Sequence, residues 1–84
     1  MADVILYTKD NCPYCRMAKE LLTKRNVNFE EIHVDQDPAK LQEMVRLSNR
    51  RTVPQIFINK QSIGGYDDLA ALASSGKLDE LLKS

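Results

Sequence analysis

The sequence contains two cysteines, Cys12 and Cys15, separated by Pro13 and Tyr14. A disulfide between them would close so short a loop that it stabilises a fold by only about 2 kcal/mol, against ~4.7 kcal/mol for a loop of about 100 residues. The pair is therefore poorly placed as a structural cross-link. It is well placed to form and break a bond between its own two members, and its spacing predicts thiol–disulfide exchange.

The two cysteines are expected to have different roles. Cys12 follows an apolar run and precedes a helical pattern, so it should lie at a helix N-terminus, where free amides and the helix dipole stabilise a thiolate. Lys9 adds positive charge nearby. Cys12 is therefore predicted to be the nucleophile. Cys15 lies one turn further on, facing the core, and is predicted to be the resolving thiol. Pro13 stiffens the turn between them, and Tyr14 offers an exposed ring.

A metal site is the main alternative for the cysteine pair. Zinc takes about four protein ligands, whereas the chain offers Cys12, Cys15 and one histidine, His33. That number is too small for a zinc site within one chain, and His33 is interpreted as a surface residue of a strand. We therefore expect no metal and retain the redox interpretation.

Hydrophobic periodicity predicts the elements that position the pair. An apolar run over 4–8 indicates a buried strand, and the helix after the cysteine motif ends near Asn26. Segment 27–34 indicates a second strand, although its alternation is imperfect. Asp37 and Pro38 suit the N-cap and first position of a second helix. The buried face of that helix is predicted to contain Leu41, Met44, Val45 and Ser48.

The second half of the chain predicts two strands and two helices. Residues 55–58 form the clearest strand, and Asn59-Lys60 is typical of a hairpin turn into a strand over 61–63. A third helix is predicted to open at Asp67-Asp68 and to end at 74–76. A last helical segment should face the core through Leu78, Leu81 and Leu82.

The predicted order of elements is β-α-β-α-β-β-α-α, which indicates an α/β fold. A helix between the first two strands implies a right-handed parallel crossover, whereas the tight turn makes the last two strands antiparallel. We therefore expect one mixed four-stranded sheet with helices on its faces. Residues 1–84 should form a single domain.

Composition excludes several classes of function. The chain has 84 residues, of which 12 are basic and 12 acidic, so it lacks the basic footprint of a nucleic-acid-binding protein. No apolar run approaches the ~20 residues that span a membrane, and residues 1–3 lack the features of a signal peptide. We expect a cytoplasmic protein, and nothing in the sequence demands more than a monomer.

The cysteine motif is part of a wider pattern that resembles the glutaredoxin family. Besides the motif over 12–15, the chain contains Thr8-Lys9, Thr52-Val53-Pro54-Gln55 and Gly64-Gly65-Tyr66-Asp67-Asp68, in the family's order and spacing. These motifs cover nearly the whole chain, and its length is similar to that of the small bacterial dithiol members. The resemblance implies a thioredoxin-like fold, a cis peptide bond before Pro54, and glutathione as the partner thiol.

The resemblance also implies which residues bind glutathione. Val53 would hold the cysteinyl part through its backbone, with Thr52 and Pro54 as the wall. Lys9 would attract the glycine carboxylate, helped by Arg51. Pro13 and Tyr14 would lie beside the nucleophile.

The opposite end of glutathione would meet the start of the third helix. Its backbone N–H groups would take the γ-glutamyl carboxylate, and Asp67, in preference to Asp68, would pair with the ammonium. Gly65 and Tyr66 complete the implied set. Tyr66 stands where many family members have cysteine or phenylalanine, and it adds bulk and a hydroxyl at the rim of the implied groove.

The activity implied by the resemblance is glutathione-dependent thiol–disulfide exchange without a tightly bound cofactor. Cys12 alone would reduce protein–glutathione mixed disulfides. With Cys15 it would reduce protein disulfides such as that of ribonucleotide reductase, a substrate of the family.

Two alternatives to this activity remain. One is a dimer that binds a [2Fe–2S] cluster through Cys12 and glutathione, and the bulky residues between the two cysteines argue against it. The other is a thioredoxin-like reductase fed by a flavoprotein. Lys9 and Asp67-Asp68 favour glutathione over that second alternative.

Overall fold

The structure, a computed structural model, describes residues 2–83, and Met1 and Ser84 lie outside the described part. Within residues 2–83, four strands and four helices follow one another in the predicted order. The strands are β1 (Val4–Thr8), β2 (Glu30–His33), β3 (Gln55–Ile58) and β4 (Gln61–Gly64). The helices are α1 (Pro13–Lys24), α2 (Pro38–Ser48), α3 (Tyr66–Ser75) and α4 (Lys77–Leu82).

The strands form one mixed sheet in the order β2-β1-β3-β4. β1 pairs with β2 in parallel and with β3 antiparallel, and β3 and β4 form an antiparallel hairpin. In the hairpin turn, Asn59 and Lys60 have φ angles of 51° and 68°. Positive φ at both central residues is what a two-residue type I′ turn requires. The mixed four-stranded sheet expected from the sequence is confirmed.

The core occupies both faces of the sheet because side chains along a strand alternate between its faces. On one face, Leu6 and Ile56 pack in a cluster completed by residues of three helices, among them Ala18, Leu22, Leu69 and Leu78. On the other face, Tyr7 and Phe57 pack with Met44 of α2. The Tyr7 and Phe57 rings meet edge to face, with centroids 5.4 Å apart. The sheet is thus the middle layer between α2 and the other helices.

The second predicted strand, over 27–34, has the wrong bounds. Pairing with β1 begins only at Glu30, and the strand ends at His33. Val27 instead donates its backbone N–H to the carbonyl of Leu22, at 3.0 Å, and its side chain packs against the core together with that of Phe29. The apolar spacing before β2 therefore reflects burial beside the end of α1.

The starts of α2 and α3 test the predicted capping. Asp37 is the N-cap of α2 and accepts N–H groups from Ala39 and Lys40 at 3.1 and 3.3 Å, as predicted. α3 begins at Tyr66, one residue before the predicted opening, because Gly65 is its N-cap.

The predicted buried face of α2 is only partly buried. Met44 is fully buried, whereas Leu41 is 38% exposed. No helix within residues 2–83 is long and apolar enough to cross a membrane.

Candidate active site

The sheet topology brings distant segments of the chain to one end of the molecule. β3 runs antiparallel to β1, so the residues before Gln55 lie beside the residues after its partner Tyr7. β4 runs back again and places Gly64 opposite Ile56. Segments 9–12, 52–54 and 64–68, which are far apart in sequence, therefore meet at this end of the sheet.

Cys12 is the N-cap residue of α1. Its backbone is extended, with φ −116° and ψ 102°, and its Sγ accepts the backbone N–H of Cys15 at 3.2 Å. Pro13 occupies the first helical position, where its missing N–H has no consequence. The sulfur thus lies at the positive end of the helix, where a thiolate is stabilised.

Cys12 and Cys15 form a disulfide, with their Cα atoms 5.2 Å apart. Cys12 is half-buried, whereas Cys15 is only 2% exposed and belongs to the buried face of α1. Of the two sulfurs, that of Cys12 is consequently the one a second molecule can approach.

The loop before β3 lies directly beside the Cys12 sulfur. The Val53–Pro54 peptide bond is cis, as the resemblance implied, and the Val53 carbonyl oxygen is 3.9 Å from Cys12 Sγ. The buried side chain of Gln55 donates its amide N–H to the Thr52 carbonyl at 3.0 Å, which ties the loop to the strand that follows it. The Val53 backbone is therefore held close to the reactive sulfur.

On one side of this loop is a cleft of about 300 Å³, which we name the α3 cleft. It is bounded by Thr52-Val53-Pro54 and by the start of α3. The rings of Tyr14 and Tyr66, with centroids 6.1 Å apart, stand together at it. Its lining residues are Tyr14, Arg50, Thr52, Val53, Pro54, Gly65, Tyr66, Asp67 and Asp68.

On the other side is a cleft of about 550 Å³, which we name the α2 cleft. It shares Thr52 and Val53 with the α3 cleft, and Lys9 and Arg51 bring positive charge to it. Lys9 is exposed. The lining residues are Lys9, Asn11, Cys12, Pro13, Val34, Asp35, Leu41, Arg51, Thr52 and Val53.

The start of α3 is held by a charged contact across the α3 cleft. Oδ2 of Asp68 accepts the backbone N–H of Gly65 at 3.0 Å and lies 3.0 Å from Nη1 of Arg50. The Gly65 amide and the Arg50 guanidinium together lower the pKa of the Asp68 carboxyl. Asp68 therefore stays ionised at neutral pH, and Asp67 beside it is exposed.

A second polar group lies below the disulfide, around Glu31. Its Oε2 accepts the hydroxyl of the buried Thr8 at 2.7 Å and lies 3.1 Å from Nζ of Lys19. Burial disfavours the charge on Glu31, but these two hydrogen bonds outweigh it and lower the pKa of the carboxyl. The network ties β1, β2 and α1 together under the motif.

His33 joins this polar group at the end of β2. Its side chain is 41% exposed, and its ring lies 3.7 Å from Glu31 and 3.9 Å from Asp10. One ligand atom each from Asp10, His33 and Asp35 lies within 4.8 Å of the others, and neither cysteine belongs to that group. The zinc set of Cys12, Cys15 and His33 considered from the sequence is therefore not assembled, and we assign no ion to the exposed group.

All of the residues implied for glutathione binding line one of the two clefts, but sequence reasoning missed other lining residues. Arg50 is not among the residues implied for glutathione binding, because nothing in the sequence pairs it with Asp68. Leu41 was placed in the core from its helical spacing. The α2 cleft, at about 550 Å³, exceeds in volume the clefts of about 250 and 400 Å³ at the loop after α1, whereas the α3 cleft, at about 300 Å³, is not distinguished from those two by volume.

The sequence matches a known protein family and is similar to named bacterial proteins over nearly its whole length. Residues 4–63 match the family model described as Glutaredoxin. The chain is 55% identical over 83 residues to Glutaredoxin 3 of Escherichia coli strain K12, which covers 99% of this chain and 100% of that protein. It is 46% identical over 84 residues to Glutaredoxin of Pseudomonas aeruginosa, and that match covers 100% of both chains.

Solved structures agree with these relatives. The crystal structure of the buckwheat glutaredoxin–glutathione complex matches with a TM-score of 0.89 and 28% identity, over 98% of this chain and 77% of that one. The solution structure of glutaredoxin from Brucella melitensis matches with a TM-score of 0.87 and 51% identity, over 99% and 90% of the two chains. The thioredoxin-like fold implied by the family resemblance is thereby confirmed.

Proposed function

Because this chain belongs to the glutaredoxin family, and is therefore a thiol–disulfide oxidoreductase, we propose that glutathione is its reductant and that glutathionylated proteins are among its substrates. One observation carries this proposal. The accessible sulfur of Cys12 lies 3.9 Å from the Val53 carbonyl, and Val53 belongs to the strip that the α3 and α2 clefts share. A tripeptide whose central sulfur meets Cys12 would have one cleft for each of its ends.

The two ends of glutathione differ in charge, and the clefts differ accordingly. The α2 cleft carries Lys9 and Arg51, which suit the single carboxylate of the glycine end. The α3 cleft carries the N-terminus of α3 and the exposed Asp67, which suit the carboxylate and the ammonium of the γ-glutamyl end. The buckwheat glutaredoxin was crystallised as a complex with glutathione, which supports the same assignment here.

Residues on the shared strip and beside the sulfur would hold the middle of the tripeptide. The Val53 backbone would pair with the cysteinyl part as an added strand does, with Thr52 and Pro54 as the wall. The rings of Tyr14 and Tyr66 would cover the γ-glutamyl side.

For a glutathionylated protein, Cys12 is sufficient. Its thiolate attacks the glutathione sulfur, the protein thiolate leaves, and Cys12 now carries glutathione in a mixed disulfide. A second glutathione thiolate attacks the glutathione sulfur of that mixed disulfide. The products are oxidised glutathione and the Cys12 thiolate. One glutathione thiol has been consumed and one protein thiol released, and the disulfide bond of the substrate has been replaced by that of oxidised glutathione.

For a protein disulfide, Cys15 is also needed. Cys12 attacks one substrate sulfur and forms a mixed disulfide with the protein. The Cys15 thiolate then attacks Cys12 Sγ, which releases the substrate dithiol and leaves the Cys12–Cys15 disulfide seen in the structure. Two glutathione molecules return the pair to dithiol form and leave as oxidised glutathione. Family potentials of about −200 to −230 mV lie close to the glutathione poise, so glutathione can drive this step.

The two other functions considered from the sequence are not favoured. A [2Fe–2S] dimer would need Cys12 as a cluster ligand, whereas Cys12 is bonded to Cys15 in the structure. A reductase that receives its electrons from a flavoprotein would not need the two charged clefts. Anaerobic reconstitution with iron and sulfide, followed by visible absorption and gel filtration, is expected to give a colourless monomer. A coloured dimer would establish the cluster-binding alternative.

A coupled assay tests the glutathione dependence directly. NADPH oxidation is followed with a glutathionylated peptide as substrate, in one arm with glutathione and glutathione reductase and in the other with thioredoxin reductase alone. We expect turnover in the first arm only. Equal or faster turnover with thioredoxin reductase alone would overturn the proposal.

The proposals on domain organisation and cellular location follow from the same family assignment. We propose that residues 1–84 act as one domain, since the family match alone spans 4–63. We also propose that the protein works in the cytoplasm, where the glutathione pool is kept reducing.

A further inference from the structure

We infer that Arg50 is a positioning residue, which sets the protein's preference for the γ-glutamyl end of glutathione by holding Asp68 and the first turn of α3. This inference rests on the proposed function, because it concerns the cleft proposed to take that end. Arg50 lies in the loop that leads from α2 to Thr52, and Asp68 lies on α3. Their contact of 3.0 Å therefore joins the two walls of the α3 cleft.

The geometry makes Asp68 part of the helix start. Its Oδ2 accepts the backbone N–H of Gly65, the N-cap residue, at 3.0 Å, which is one half of a capping box. The same oxygen is within 3.0 Å of the Arg50 guanidinium. One carboxylate oxygen thus fixes the direction of α3 and anchors it to the opposite wall.

The chain makes room for this contact at Gly64. Its φ of +117° is one that residues with a side chain rarely adopt, and an added Cβ would collide with the Asp68 carboxylate and come within 3.1 Å of Arg50 Nη1. The carboxylate and the guanidinium therefore lie directly over a backbone position where only glycine leaves space for them.

The electrostatic consequence concerns the ligand. The γ-glutamyl end carries a carboxylate, and a second unpaired carboxylate beside the helix N-terminus would repel it. Arg50 compensates the charge of Asp68, which leaves the N-terminal amides of α3 attractive to an anion. Asp67, exposed and adjacent, remains for the ammonium. Arg50 acts in this arrangement through Asp68 and need not touch the ligand.

The test uses two substrates that differ only at the γ-glutamyl residue. One peptide carries glutathione in a mixed disulfide, and the same peptide carries cysteinylglycine instead. Single-turnover release of the peptide thiol is measured with reduced protein in a Cys15→Ser background, so that only the attack by Cys12 is observed. The parent, Arg50→Gln, Asp68→Asn and the double variant of these two are compared.

The expected result is a selective loss. Arg50→Gln should slow the reaction of the glutathionylated peptide by about three- to fivefold, the size of one partly exposed charged contact, and leave the cysteinylglycine reaction unchanged. The preference is the ratio of the rate with the glutathionylated peptide to the rate with the cysteinylglycine peptide. In the Asp68→Asn background, Arg50→Gln should change this ratio by less than about twofold, because the effects of substitutions in residues that act as one unit are not additive. Arg25→Gln, which breaks the Arg25–Asp79 pair at the other end of α1, should leave the preference unchanged.

The failures are distinguishable. A parent that does not discriminate between the two peptides would overturn the proposed glutathione function itself. A discriminating parent whose preference survives Arg50→Gln would overturn the role of Arg50 alone. An undiminished effect of Arg50→Gln in the Asp68→Asn background would place Arg50 on the ligand and would also overturn the positioning role.

Discussion

The backbone amide of Cys15 donates a hydrogen bond to Sγ of Cys12 at 3.2 Å. Cys15 thus acts on Cys12 in two separable ways: its sulfur closes the disulfide, and its amide caps the sulfur of the nucleophile at the start of α1. A substitution of the Cys15 side chain removes the first interaction and retains the second.

The first prediction separates these two contributions. Cys15→Ser should retain deglutathionylation within about threefold, because the capping amide is still present, but should lose protein-disulfide reduction by about a hundredfold or more, because nothing resolves the mixed disulfide. Cys12→Ser should lose both activities. The measurements are steady-state rates with a glutathionylated peptide and with a protein disulfide. Robust turnover by Cys12→Ser would contradict the assignment of the nucleophile.

The second prediction concerns Lys9 in the α2 cleft. Lys9→Gln should raise the KM for a glutathionylated substrate by about two- to fivefold with little change in kcat, because an attraction to the glycine carboxylate contributes to binding in the ground and transition states alike. The effect should shrink as salt is added. KM is measured at low and high ionic strength.

The matched control for Lys9 is Lys24→Gln, which removes the same charge from the last turn of α1. It should leave KM unchanged at both ionic strengths. An equal rise in KM for both variants would show that only net charge matters, and would remove Lys9 from the binding site.

Much of the fold could be predicted because local signals agree with it. Asp37 caps α2 and Asn59-Lys60 forms the hairpin turn, as their residue types predict. The start of β2 could not be predicted, since Val27 and Phe29 have the spacing of a strand but are buried by contact with helix residues. Apolar periodicity reports burial, and it does not say which neighbour provides it.

The candidate site, like the fold, could be predicted from the sequence only in part. The spacing of Cys12 and Cys15 predicts redox chemistry by itself, whereas the glutathione-binding residues depended on resemblance to a family. The contact between Arg50 and Asp68 spans 18 positions and exists because β3 and β4 return the chain to one end of the sheet. Leu41 is a residue of the site that was assigned to the wrong place: helical periodicity predicts it in the core, whereas the structure places it at the α2 cleft.

The third prediction is a loss of stability in Gly64→Ala. The φ of +117° and the collision with the Asp68 carboxylate should together lower the free energy of unfolding by about 2–3 kcal/mol. Gly76→Ala is the control, because Gly76 has a φ of +82° but no atom within 4 Å of the added Cβ. Gly76→Ala should lower the free energy of unfolding by only about 1 kcal/mol. Urea unfolding measures both, and equal losses would show that the Asp68 contact has no steric role.

The fourth prediction concerns Tyr7, which links β1 to α2. Its hydroxyl donates to Oε1 of Glu43 at 2.7 Å, and burial, followed by this hydrogen bond to a carboxylate, raises the pKa of Tyr7 from 10.0 to about 12. A raised pKa means that the folded state keeps a proton that the unfolded chain releases. The resulting stability is complete below pH 10 and is lost as the pH rises towards 12.

Tyr7→Phe isolates this effect, since lysine titration in the same range affects both proteins alike. At pH 8 the parent should be more stable by about 1 kcal/mol, the net value of the lost hydrogen bond. Between pH 10 and 12 the parent alone should lose about 2 kcal/mol, so the order of stability should reverse. The measurement is urea unfolding of both proteins at intervals across that range. A difference that stays constant with pH would mean that Tyr7 ionises equally easily in both states, and that the Glu43 contact does not hold its proton.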